Sequence, residues 1–206
     1  MKKYEQQYYF LRKAKENESL PSLCPDDNTS DKNYDFEEFP AAASPFFFLN
    51  AGREYGEKRN IPSTQRIPSI LFDGTNLLVS SSMREALLEL DIPHLHMHPS
   101  VYIHDDGKWH EDYWYMTFVQ RFDCWSRGES EYDNEDEPIQ LGGFDLFEVY
   151  KFHFDEKLLN SIPLSQRLLF KMGGAVNAFI VCHESILKIF KSGDGDGVRF
   201  VKVEDY

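Results

Sequence analysis

Basic residues are scarce in this 206-residue chain: 22 Lys and Arg stand against 35 Asp and Glu, for a formal charge of -13. A field of that sign repels phosphate backbones and anionic lipid, so neither nucleic acid nor a membrane is an expected partner. It attracts and steers a basic protein, although acidity also serves plain solubility. Cysteine is equally sparse. Cys24, Cys124 and Cys182 are odd in number and widely spaced, with no CxxC pair, which predicts reduced thiols rather than a disulfide framework. Long apolar runs are missing too. Phe46-Phe47-Phe48-Leu49 falls far short of the roughly 20 residues that span a bilayer. Met1-Lys2-Lys3 leads straight into Tyr4-Glu5-Gln6-Gln7 without an apolar signal segment, so the expected location is the cytoplasm. The chain also lacks a Gly-rich phosphate loop, a GxSxG and an HExxH, and no cofactor is expected.

What is abundant is aromatic area. The 17 Phe and 11 Tyr, in a chain that is 41% apolar, predict a core built from rings rather than from leucine. The pattern reads as an α+β fold: a mixed or antiparallel sheet of aromatic-rich strands with a few short helices on one side. Tyr8-Tyr9-Phe10-Leu11 has first-strand character. Residues 16–33 are polar and broken by Pro21 and Pro25, which predicts an exposed, mobile loop. Phe36, Phe39 and Phe46 to Leu49 then act as anchors. Residues 1–68 are thus expected to form a strand plus a long polar region packed on an α+β core of residues 69–206.

Within that core, Asp73-Gly74-Thr75-Asn76 sits between two apolar segments as a hairpin connection. Ser82 and Glu85 have capping-box spacing ahead of Leu87, Leu88 and Leu90, which predicts a helix ending by Pro93. Leu95 to Ile103 and Trp109 to Val119 alternate about Asp105-Asp106-Gly107 as a hairpin with one packed face. Phe144 to Phe152, Ala178 to Cys182 and Val198 to Val203 read as strands, Glu184 to Lys191 as a short helix, and Ser165 to Lys171 as either.

Four constellations could carry chemistry. His94, His96 and His98 would share one face of a strand, as in tri-His zinc sites, but i to i+4 spans ~13 Å, too far for the outer rings to share one ion. The bland alternative turns Leu95 and Met97 inward and leaves the histidines to solvent. Asp194 and Asp196 lack the remaining ligands of a calcium loop, because Val198 and Arg199 stand where ligand and glycine belong. Cys182 and His183 are adjacent, so on a strand they point to opposite faces and form no nucleophile–base pair. The densest charge cluster is Glu129, Glu131, Asp133, Glu135, Asp136 and Glu137, with Tyr132 among them. It reads either as a solvated loop or as a docking surface for basic side chains.

Several segments, taken in order, resemble one known family. They are Tyr8-Tyr9-Phe10-Leu11, the Leu78-Val79-Ser80-Ser81 lead into a helix, and Tyr113-Trp114-Tyr115-Met116-Thr117-Phe118. Asp123 and Ser130 follow that strand, then come Leu169-Phe170-Lys171, with Lys171 where the family has arginine, and the closing Gly197-Val198-Arg199-Phe200. In these the chain resembles the bacterial polymorphic-toxin immunity proteins of the eleventh immunity family. The resemblance covers about two-thirds of the chain and implies an α+β, non-enzymatic protein that binds and occludes a cognate protein toxin in the cytoplasm. It carries over no binding residues, since such surfaces differ with their toxins. Two other classes stay open: a small metal- or thiol-dependent enzyme using His94, His96, His98 or Cys182, and an adaptor module without a toxin partner.

Overall fold

In the computed structural model the described residues are 3–14, 19–32, 34, 37–40, 42–135, 137–141, 143–191 and 197–206. The fold class is α+β, and the strands divide between two main sheets. The first is antiparallel, in the order β12 (Leu169–Lys171), β13 (Ile180–His183), β1 (Tyr8–Lys13), β14 (Val198–Lys202). The second has six strands, ordered β2 (Leu23–Pro25), β3 (Phe46–Asn50), β6 (Leu95–Ile103), β7 (Trp109–Phe118), β5 (Asn76–Ser80), β4 (Ile70–Asp73). It is mixed, because β3 runs parallel to β6 while its other pairs are antiparallel.

Strand periodicity stacks these sheets into layers. On β1, Leu11 enters one core while Tyr8 and Phe10 enter another. The first core lies between the two sheets. It joins Phe72, Leu77, Val79, Met116 and Phe118 to Leu169, Ile180 and Cys182, with helices α3 (Ser81–Leu88) and α5 (Leu187–Lys191) inserted. The second lies on the far side of the four-stranded sheet and is aromatic: Tyr8, Phe10, Trp125, Phe152, Phe154, Phe170 and Phe179. The third covers the far side of the six-stranded sheet, where Phe46, Phe48, Tyr102, Tyr113 and Tyr115 meet Tyr34 and Phe39.

The expected hairpins form. Asp73 pairs with Asn76 across Gly74-Thr75, and Gly74 takes φ 58°, which a side chain would resist. The β6–β7 turn closes through Lys108 N donating to Asp106 Oδ1 at 2.9 Å.

Several local expectations change. The polar N-terminal stretch carries β2 and a one-turn helix, α1 (Asp27–Ser30), which is capped by Asp26 accepting from Thr29 N at 2.8 Å. Phe46 to Leu49 belongs to a strand, and Phe36 lies outside the described residues. Residues 53–59 form helix α2 (Arg53–Arg59). Helix α3 starts two positions earlier than expected. Its N-cap is Ser80, whose Oγ pairs with Ser82 Oγ, so the Ser82–Glu85 capping box does not form. The β7 strand is packed on both faces, not one, because each face of its sheet has a core. Helix α4 (Glu156–Ser161) was unforeseen. Asp155 caps it by accepting from Lys157 N and Leu158 N, a signal already present in Asp155-Glu156 ahead of Leu158-Leu159.

Candidate docking surface

The acidic segment starts from a pinned base. Trp125 is buried and its indole N–H donates to Gly173 O at 3.1 Å. Arg127 lies over that indole at 3.6 Å and forks onto Asp123, with Nη1 and Nη2 at 2.5 and 2.7 Å from its two oxygens. Ser130 clasps the next strand: its Oγ accepts from His153 N at 2.9 Å and donates to His153 O at 3.2 Å. Asp123 and Ser130, two residues that carried the family resemblance, therefore hold the root of this segment.

From that root the chain enters β8 (Glu131–Tyr132), which pairs with β11 (Val149–Lys151). Tyr132 is turned inward onto Trp125 and Phe147, at ring distances of 5.1 and 5.4 Å. Asp133 N donates to Glu148 O at 2.8 Å, and Asp133 Oδ1 accepts from Glu135 N at 3.1 Å. Glu129, Glu131, Glu135 and Glu137 are exposed, and Glu131 meets Lys151 Nζ at 3.4 Å. Asp136 lies outside the described residues. Of the candidates, four carboxylates thus face solvent on a backbone held by strand pairing and turns, whereas Tyr132 belongs to the core's edge.

The segment then runs into β9 (Ile139–Leu141), which pairs with β10 (Phe144–Leu146). All three β9 residues are exposed, with Ile139 at 57% and Leu141 at 53%. Composition hid this pair. Its signal is the alternation Pro138-Ile139-Gln140-Leu141 directly after the acidic run. Beside the ribbon, the Arg121 guanidinium lies over Phe144 at 5.5 Å and also lines a cleft of about 330 Å³ formed with Pro93, Phe118, Phe122 and Phe170.

The other constellations separate. His94 sits in the turn before β6 with φ 60°, so the three histidines do not share a strand face. His98 is buried against the solvent-facing expectation. Its ring lies 4.2 Å from that of Phe46 and its Nε2 donates to Ser44 O at 3.0 Å, because β6 is central and packed on both sides. His96 Nδ1 meets Glu38 Oε1 at 3.1 Å. Among the described residues no three His, Cys, Asp or Glu side chains converge as a metal site, and Asp194 and Asp196 lie outside those residues.

Cys182 enters the core between the sheets while His183 packs on Tyr8 at 5.0 Å, on the opposite face. Burial pushes the Cys124 and Cys182 thiols well above their ordinary range, and desolvation also raises Cys24. No helix among the described residues is long and apolar enough to cross a membrane.

No curated protein matches the chain significantly. The model of the immunity protein family Imm11 matches residues 15–205, including residues 16–66, which hold none of the segments that carry the resemblance. The chain belongs to the Imm11 immunity protein family.

Proposed function

We propose that this protein is the cytoplasmic antitoxin of a cognate toxin domain, which it binds and occludes through the surface rooted at Trp125 and carried by Glu129, Glu131, Asp133, Glu135, Asp136 and Glu137. The family match over residues 15–205 carries the reading. The net charge of -13 and the exposed carboxylates of the pinned segment support a basic partner surface. Occlusion needs no chemistry of its own: a few desolvated anchors within a polar rim exclude substrate from the toxin's site. Tyr132 would act through the shape of the segment rather than by contact, since its ring is spent on Trp125 and Phe147.

Co-expression with the toxin domain encoded beside this gene is the test. Survival of the cells, with the two proteins co-purifying, is the expected result. Cell death despite good soluble expression of the protein would break that pairing.

A further inference from the structure

We infer that the toxin completes the β9–β10 ribbon by adding an extended strand to the free edge of β9. This deepens the antitoxin reading and rests on it. The register pairs Leu141 with Phe144, Gln140 with Asp145 and Ile139 with Leu146. A pair closing across a two-residue connection exchanges both hydrogen bonds, and antiparallel pairs then alternate. Leu141 and Ile139 therefore bond inward to β10, while the N–H and C=O of Gln140 point away from it. Among the described residues β9 has β10 as its sole strand neighbour, so those two groups form an open edge.

Pleating adds side chains to this edge. Ile139, Leu141, Phe144 and Leu146 share one face of the ribbon. On that face Leu146 is buried at 3%, whereas Ile139 and Leu141 are more than half exposed. An apolar edge strand of this kind is a pairing template that folded proteins ordinarily blunt with lysine, proline or a bulge. None of these lies within Ile139-Gln140-Leu141.

The chemistry around the edge selects the occupant. Exposed Glu135 and Glu137 precede the strand, and Asp145 accepts from the Gln140 side chain across the ribbon. The fitting partner is an extended protein segment with two apolar side chains at i and i+2, flanked by Lys or Arg. Backbone bonds to Gln140 would supply register, Ile139 and Leu141 the desolvated anchors, and the carboxylates the choice of a basic strand.

The probe is the catalytically inactivated toxin domain encoded beside the gene, titrated against the full chain and variants by calorimetry. Gln140→Pro removes the outward N–H while leaving both inward-bonded pairs of the ribbon, and should weaken binding by about tenfold or more. Ile139→Ser with Leu141→Ser should do the same. Hydrogen exchange on the unmodified complex guards against misfolded variants, with the Gln140 amide expected to become protected on binding. Wild-type binding with unchanged affinity in both variants and an unprotected Gln140 amide overturns the edge strand and leaves the antitoxin reading intact. Self-association of the wild-type chain that Gln140→Pro abolishes assigns the edge to a second copy, and also overturns it. Failure of the wild-type chain to bind the toxin removes the antitoxin reading itself.

Discussion

At the scale of single residues, buried polar groups between elements define what substitution costs. Lys171 is buried at the end of β12 and donates to Asn76 Oδ1 on β5, so one contact joins the two main sheets. Arg167 likewise donates to the Tyr8 hydroxyl, and burial still pushes that phenol up to about 12. Removing one member of such a pair takes a hydrogen bond from a buried polar group of the other. Asn76→Ala should therefore cost about 1–3 kcal/mol in urea denaturation, more than an exposed Asn→Ala. Gly174 has φ +66°, and an added Cβ would lie 2.4 Å from an Arg127 nitrogen and 2.6 Å from Asp123 Oδ2. Gly174→Ala should destabilise by about 1–3 kcal/mol, through positive φ and the disturbed Asp123–Arg127 fork. An unchanged denaturation midpoint would remove that fork as the root of the acidic segment.

At the scale of elements, capping decides boundaries that hydrophobic pattern leaves loose. The end of β13 turns into α5 through His183, whose Nδ1 accepts from Ser185 N at 3.2 Å and pairs with Ser185 Oγ at 2.9 Å. An acceptor nitrogen must be unprotonated, and burial lowers the His183 pKa accordingly. The unfolded chain thus binds this proton more readily than the folded one. His183 contributes full stability above its unfolded value near 6.5, and loses that contribution as pH falls from there through its lower folded value. Denaturation midpoints of the wild-type chain should fall across this range, and His183→Asn should flatten the slope. Equal slopes for the two proteins would sink this role. His110, also lowered by burial, adds to the wild-type slope and is unaffected by the substitution.

At the scale of the whole molecule, layering sets which thiols are accessible and charge sets how a basic partner would be steered. The layered cores enclose Cys124 and Cys182 completely, while Cys24 keeps partial exposure. A thiol reagent applied to the native protein should label Cys24 alone, and all three after unfolding. Rapid labelling of Cys182 in the native state would reopen a thiol-based activity. The charge of -13 acts at long range, so its effect belongs to rates. Changing Glu129, Glu131, Glu135 and Glu137 together to Gln should slow association with the toxin domain severalfold at low salt, with the difference shrinking as salt rises. Unchanged association kinetics would exclude this segment as the steering surface.

Neighbouring residues decide the local parts of the fold, and those parts are readable along the chain. Aspartate, glycine and asparagine between apolar runs made the Gly74 and Gly107 turns readable, and alternation made the long β6 and β7 strands readable. The exposure of Glu129, Glu131, Glu135 and Glu137 was legible for the same reason, since a run so dense in carboxylates cannot share a dry core. The tertiary structure alone decided the pairings that join distant residues. It placed β1 between β13 and β14, set β3 parallel to β6, and buried His98 where strand alternation had left it in water. Among the described residues it also left β9 with β10 as its sole strand neighbour, beside the carboxylates. Whether a strand lies central, paired on both sides, or at a rim depends on where remote segments return, and alternation along a few residues is the same in either case.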